Sequence, residues 1–271
     1  RFPALSRTLK ITNLSGKKRT IEILDGLPVI IPFGFDDSLL KRLSTTIEAW
    51  CSVKNLAERA PFFKLKAMPA DISETTFLQK GNFYLAFSNN SPLKVIVDPK
   101  LVFGENSGLT IPEIFAGGSF KVPKEQLTEG FTPSALAYDK FSLPARAEHE
   151  IYSLLGQAES LKLLRQIAER AGNAKFIKMK FYQNRYLIDS ITSLVSTDSS
   201  SRELNLYARY TFLDNVMRGG LPVNFGNKTT YLYYRKHGDM ERDYNDFRLM
   251  PTYFSQGNGN YRDANQNRRS D

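Results

Sequence analysis

The chain has 271 residues, 41% of them apolar and 24% charged, with 37 Lys+Arg against 28 Asp+Glu and a net charge of +9. That balance excludes a disordered or fibrous chain, and no apolar run approaches the roughly 20 residues that cross a bilayer. One cysteine excludes an internal disulfide framework, and two histidines with one cysteine make a protein-built zinc site improbable.

The first half alternates as antiparallel β structure does. Leu9, Ile11 and Asn13 recur at every second position through Arg7 to Leu14, and Ile21 and Ile23 through Arg19 to Leu24. With Ser15-Gly16-Lys17 between them the two segments read as a hairpin, broken after Leu24 by Asp25-Gly26-Leu27-Pro28. Leu39 to Lys54 fits a helix by the spacing of Leu40, Leu43, Ile47 and Trp50, and a strand by Thr45-Thr46-Ile47. Thr75 to Leu78 and Asn82 to Phe87 read as a second hairpin, and Leu93 to Val97 as a short strand. Pro and Gly recur from Pro99 to Pro144, the pattern of long loops on a sandwich.

The composition changes near Glu148. Ile151, Leu154, Leu155, Ala158, Leu161, Leu164, Ile167 and Ala171 form a stripe at helical spacing, with Gly172 as its C-terminal cap. A further helix is expected within Lys175 to Val195. The polar break from Thr197 to Ser201 supplies an N-cap for a third, Ser201 to Met217, ended by Gly219-Gly220. Strands first and helices second imply separate β and α domains.

The cations are dispersed rather than gathered on one run, so a solvated mixed-charge surface fits better than a nucleic-acid interface, though a mild positive field still attracts a small anion such as phosphate. Cys51 reads as a small half-buried residue without a nearby histidine. No signal peptide is present, which makes the cytoplasm the default. The chain begins Arg1-Phe2-Pro3 without a methionine and stops at Asp271 without a closing pattern, so a piece of a longer polypeptide is expected.

Leu213 to Asp271 is dense in amides, carboxylates, arginines and tyrosines. It holds Leu213 to Gly220, His237 to Tyr244, Gln256-Gly257-Asn258-Gly259-Asn260, and Tyr261 to Arg268. A buried core is not built from such residues, because each would need its own partner. A surface loop or a sugar cleft could be: Asn, Gln, Asp and Arg pair with hydroxyls that donate and accept, and rings such as Tyr231, Tyr233, Tyr234, Tyr244, Phe247, Tyr253, Phe254 and Tyr261 cover the apolar faces of a pyranose. Asp239, Glu241, Asp243, Asp246 and Asp263 interleave with arginines. Carboxylates so placed are more often ion-paired than catalytic, and none stands out as a general acid.

At these blocks, and at Ile11-Thr12-Asn13-Leu14, Ile23-Leu24-Asp25-Gly26-Leu27-Pro28, Pro32-Phe33-Gly34 and Pro61-Phe62-Phe63-Lys64-Leu65, the sequence resembles the inverting glycoside phosphorylases of the cellobiose phosphorylase type and related β-glucan phosphorylases. The resemblance implies a multidomain β + α chain: an N-terminal antiparallel β-sandwich (1–147), a helical linker (148–195) and the beginning of an (α/α)6 catalytic barrel (196–271), truncated. It implies reversible phosphorolysis of β-glucosides or β-glucans to α-glucose 1-phosphate with inversion, without a cofactor and with inorganic phosphate as co-substrate. The family motif that holds the sugar runs here as Arg262-Asp263-Ala264-Asn265-Gln266-Asn267. Arg262 and Gln266 match, and Asn267 stands where the family carries an acid. Arg262, Asp263, Gln266 and Asn267 are thus the expected substrate-binding residues, and the catalytic acid is expected past Asp271, which would leave the isolated fragment inactive. The expected partners are a β-linked oligosaccharide or glucan and phosphate, with neither nucleic acid nor membrane; a homodimer is left open. The other readings are a glycoside hydrolase of similar architecture, marked by an added general base, and a non-catalytic carbohydrate-binding β-sandwich protein.

Overall fold

A computed structural model describes residues 2–35, 39, 42–69, 73–118, 120–219 and 221–232. The chain divides into two compact units, one made of Phe2–Phe35 and Leu39–Ile177, the other of the chain from Lys178 on.

The first unit holds two antiparallel sheets. The larger contains β1 (Ala4–Thr12), β3 (Cys51–Lys54), β4 (Phe62–Leu65), β5 (Gly81–Ser88), β6 (Ser91–Pro92) and β9 (Glu148–Ala158), in the order β1-β9-β5-β4-β3 with β6 on β5. The smaller runs β2 (Arg19–Leu27), β8 (Ala135–Leu143), β7 (Lys94–Ile96). Alternation decides what each face buries. Val53, Phe63, Tyr84 and Ala86 of the larger sheet meet Val95, Ala135 and Ala137 of the smaller one, which makes the core of a sandwich. The outer face of the larger sheet carries Phe62, Phe83, Leu85, Phe87, Tyr152 and Leu154 under helix α3 (Leu161–Ala171). The outer face of the smaller sheet, through Ile96 and Leu136, packs on Val102, Phe103 and Phe120 around the one-turn helix α1 (Lys100–Phe103); a second one-turn helix, α2 (Glu113–Ala116), follows.

The antiparallel strands and following helices are as expected; several finer expectations are not. β1 and β2 do not form a hairpin: β1 pairs with β9 and β2 with β8, in different sheets. The link between them is a corner, and the reason is Asn13. Its side-chain amide donates to the carbonyls of Lys17 (2.8 Å), Leu143 (3.0 Å) and Pro144 (2.8 Å), which binds this corner to the parallel crossing between β8 and β9. Asp25-Gly26-Leu27 does not break β2 but completes it. Gly26 has φ +145°, and a Cβ there would lie 1.9 Å from the Ala135 carbonyl oxygen, so glycine lets β8 approach. Phe77 bridges to Ala67 and not to β5, so the second expected hairpin is absent too. The Pro/Gly-rich span contains β8, and the stripe from Ile151 to Ala158 is strand β9 rather than helix. β9 pairs with β1 and β5 and is covered on both faces, so its apolar residues do not alternate with polar ones. Within Leu39 to Lys54 the helical reading holds from Arg42 to Trp50, Thr45-Thr46-Ile47 included, and the strand β3 starts only at Cys51.

The helices follow their caps. Ser160 Oγ accepts the Leu163 N–H at 3.2 Å to start α3, and Gly172 closes it. Asn173 Oδ1 accepts the Phe176 N–H at 2.8 Å to start α4 (Ala174–Thr192). In the second unit, Ser201 Oγ accepts the Leu204 N–H at 3.2 Å at the start of α5 (Arg202–Gly219). Arg209 on α5 reaches Asp189 (3.2 Å) and Thr192 (3.0 Å) on α4. A hairpin of β10 (Leu221–Phe225) and β11 (Lys228–Leu232), not anticipated from the sequence, follows Gly220.

Candidate functional site

Arg262, Asp263, Gln266 and Asn267 lie outside the described residues, as do Asp239, Glu241, Asp243, Asp246 and every aromatic ring expected in a sugar cleft except Tyr231, which sits on β11. Four polar clusters of the first unit bring together residue types that could carry chemistry.

The most suggestive combines Ser88 on β5, His149 on β9 and Asp139 on β8, residue types that could form a hydrolytic triad. All three point between the sheets, and Phe141 stacks on the imidazole with ring centroids 3.6 Å apart. The geometry is that of a tie. Asp139 Oδ2 and Ser88 Oγ both contact the same nitrogen, His149 Nε2, at 2.8 and 3.0 Å. A triad needs the carboxylate on Nδ1 and the hydroxyl on Nε2. The Ser88 hydroxyl donates to the Glu150 carbonyl at 3.1 Å, so its proton is committed; the Nε2–H serves Asp139 and Ser88 together. Ser88 is therefore an acceptor and not an activated nucleophile.

The second cluster is Arg7, Asp25, Tyr84 and Ser153. Asp25, 5% exposed, is ion-paired to Arg7 through Oδ1, while its Oδ2 is buried without a hydrogen-bond partner. The Tyr84 hydroxyl donates to the Asp25 carbonyl at 3.1 Å. Burial pushes the Tyr84 phenol up to about 12 against the opposing effects of Ser153 and Arg7. The third cluster lies at the far edge of the larger sheet. Glu129 takes Lys54 and Lys66 at 2.7 Å each and Ser52 at 3.2 Å; the two ammonium groups hold its carboxyl down at about 2. Burial, then Lys54, lowers the Lys64 ammonium, which donates to the Leu78 carbonyl. The fourth is a forked pair: Arg165 Nε contacts Glu58 Oε1 and Oε2 at 3.1 and 3.0 Å, and pins α3 beside the β3–β4 connection.

Cys51 is 1% exposed, and burial, with Glu48 adding to it, pushes its thiol up to about 12. A neutral buried thiol is neither a nucleophile nor a metal ligand. Among the described residues no group of three or more His, Cys, Asp or Glu is placed to hold a metal ion, and no helix is long and apolar enough to cross a membrane.

What these clusters do chemically is join elements: each cation meets a carboxylate or a carbonyl of the fold. In the second unit, Phe181, Tyr182 and Tyr186 of α4 and Tyr207 and Tyr210 of α5 are exposed. None of these five rings is among those expected of a sugar cleft from the sequence. The available signal was the spread of rings around both helices, which defines no single core stripe. No protein-family model matches the chain, and no curated protein matches it significantly.

Proposed function

We propose that this chain is part of an inverting glycoside phosphorylase acting on β-glucosides or β-glucans, working in the cytoplasm. The observation that carries the reading is the order of parts: a two-sheet antiparallel sandwich whose last strand, β9, runs directly into capped helices. This is the order that the resemblance of the sequence blocks implies, with an (α/α)6 barrel beginning in the second unit.

In the proposed reaction a phosphate oxygen attacks the anomeric carbon from the face opposite the leaving group. The glycosidic C–O bond breaks, and a carboxylic acid supplied further along the polypeptide protonates the departing oxygen. Phosphate arrives as an anion, so no general base is needed to activate it, and α-glucose 1-phosphate leaves. Arg262, Asp263, Gln266 and Asn267 hold the sugar hydroxyls at the point of cleavage. Exposed rings such as Tyr182 and Tyr207 suit the apolar face of a glucan chain.

The test is the reverse reaction. The full-length polypeptide is incubated with α-glucose 1-phosphate and a panel of short β-gluco-oligosaccharides, and phosphate release is followed. Acceptor-dependent release together with a lengthened oligosaccharide supports the proposal. No release across the panel, with reducing ends appearing from β-glucan in phosphate-free buffer, replaces it with a hydrolase.

A further inference from the structure

Along the sequence the cations are dispersed, but the corner held by Asn13 gathers four of them. Lys17 and Lys18 lie in the link between β1 and β2, Arg19 is the first residue of β2, and Arg146 lies in the link between β8 and β9. The two links are laced together. The Asn13 side-chain amide donates to the carbonyls of Lys17 and Pro144 at 2.8 Å each, the Arg146 N–H donates to the Asn13 carbonyl at 3.1 Å, and Arg19 pairs with Leu143. All four cations are exposed, and none meets a carboxylate among the described residues. The nearby acids of the two ladders are engaged elsewhere, Glu148 with Lys10 at 2.7 Å and Glu22 with Lys140. This end of the sandwich is a patch of uncompensated positive charge.

An apolar tip stands among these cations. Leu14, 75% exposed, follows Asn13 directly, and Pro144 and Ala145 beside Arg146 are exposed as well. A lone exposed leucine is ordinary. This one sits on a turn that is held stiff: the Ser15 N–H and hydroxyl both donate to Asn13 Oδ1, at 3.0 and 2.7 Å, and Arg146 takes φ +62° in the link beside it. The tip is set before any partner arrives, so docking there orders little new chain.

We infer that this corner is a docking site for the surface of an anionic bilayer, with Leu14 entering the interfacial layer and Lys17, Lys18, Arg19 and Arg146 meeting lipid phosphates. Charge and polarity together select the partner. Four unpaired cations fit a polyanion. A nucleic acid would satisfy the charge, but it offers no apolar layer to Leu14, and neither link contains an aromatic residue that could stack on a base. A bilayer with acidic headgroups supplies both the charge and the apolar layer, and the cytoplasmic leaflet carries such lipids. The corner belongs to the sandwich, and its docking does not depend on the phosphorylase reading.

The experiment is co-sedimentation of the full chain with vesicles of phosphatidylcholine, alone or mixed with phosphatidylserine. The chain is expected on the mixed vesicles and not on phosphatidylcholine alone, with binding that falls as salt is added. Arg146→Asn removes a charge and keeps a residue that tolerates φ +62°; it should weaken partition about 5-fold, the share of one cation near such a surface, and Lys17→Ala with Lys18→Ala about 25-fold. Leu14→Ser should weaken it by a factor that salt does not change, because the contact removed is apolar. Lys162→Ala, at the start of α3 beyond the far end of the eleven-residue β9, should change nothing, which separates this patch from the net charge of +9. All these side chains are exposed, so circular dichroism should be unchanged. No partition onto mixed vesicles, equal partition onto both kinds, or a loss with Lys162→Ala as large as with Arg146→Asn would each overturn the inference. Binding indifferent to Leu14→Ser, with a labelled single-stranded RNA retained equally by that variant, would overturn it in favour of a nucleic-acid site.

Discussion

Asn13 allows the corner argument to be tested with a pair of near-isosteric changes. It is 6% exposed, its amide donates to three backbone carbonyls, and its Oδ1 accepts the Ser15 N–H at 3.0 Å and the Ser15 hydroxyl at 2.7 Å. Asn13→Ala removes the side-chain bond to the Leu143 carbonyl in a buried place, while the Pro144 carbonyl still accepts the Ala147 N–H at 3.2 Å. At about 1 kcal/mol per lost bond and up to about 3 for a buried group left unpaired, the loss should be about 2–4 kcal/mol. Asn13→Asp keeps the size and the Ser15 contacts but replaces the donor with an oxygen facing three carbonyl oxygens. It should cost more than alanine, by about 1–2 kcal/mol, because repulsion and desolvation are added to the lost bonds. Urea unfolding followed by Trp50 fluorescence measures both, since the single tryptophan packs against Ile47 and Cys51 in the same unit. An aspartate variant as stable as wild type would show that the side chain does not face those carbonyls, and the corner would need another explanation.

Gly26→Ala should be among the most damaging single changes in the sandwich, costing about 3 kcal/mol or more, since its Cβ would overlap the Ala135 carbonyl at a φ that alanine resists; a midpoint within about 0.5 kcal/mol of wild type would contradict the close approach of β2 and β8. On the alkaline side the chain should lose stability as pH rises from 9 toward 12. The unfolded chain releases the Cys51 proton near 9 and the Tyr84 proton near 10, while the folded chain holds both to about 12, so the folded state binds more protons across that window. Tyr84→Phe should flatten the fall above pH 10, and a thiol reagent should find Cys51 only in denaturant; a fall unchanged in Tyr84→Phe would remove the phenol from the account. On the proposed phosphorylase reading, Arg262→Ala should lower kcat/KM for phosphorolysis by at least about 100-fold with an unchanged circular dichroism spectrum, and unaltered kinetics would take Arg262 out of the proposed sugar site.

The sequence disclosed strands, helices and caps more readily than it disclosed pairing. Alternation in β1 and β2 reports an extended chain with one face inward, and nothing in it names the neighbour. Ser15-Gly16-Lys17 suits a tight turn as well as a corner, and the decision falls to Asn13, whose partners Leu143 and Pro144 are 130 and 131 residues away. β9 is a strand where the spacing predicts a helix, for a related reason. A strand covered on both faces has no polar side, so Ile151, Leu154, Leu155 and Ala158 join without interruption to the true helical stripe of Leu161, Leu164, Ile167 and Ala171. The boundary was nevertheless visible, because Ser160 is an N-cap in sequence as well as in structure. The expected sugar-binding residues rest on a different kind of signal, the resemblance of a short motif, beside a composition too polar for a core that suits a surface loop as well as a sugar cleft and fixes no geometry.

The polar clusters inside the sandwich show why residue type alone is a weak guide to chemistry here. Ser88, His149 and Asp139 would pass as a triad on composition, yet the bonds converge on one nitrogen and the hydroxyl proton is spent on a carbonyl. Asp139 comes from one sheet and His149 from the other, just as Asp25 and Arg7 come from opposite sheets. Apolar packing of Val95, Ala135 and Ala137 on Phe63 and Tyr84 tolerates small slides, because it is non-directional. A hydrogen bond of 2.8 Å between the sheets does not tolerate them. Removing one partner would leave a buried group unpaired, which costs more than the pair contributes, so these residues act on the alignment of the two sheets more than on their net stability.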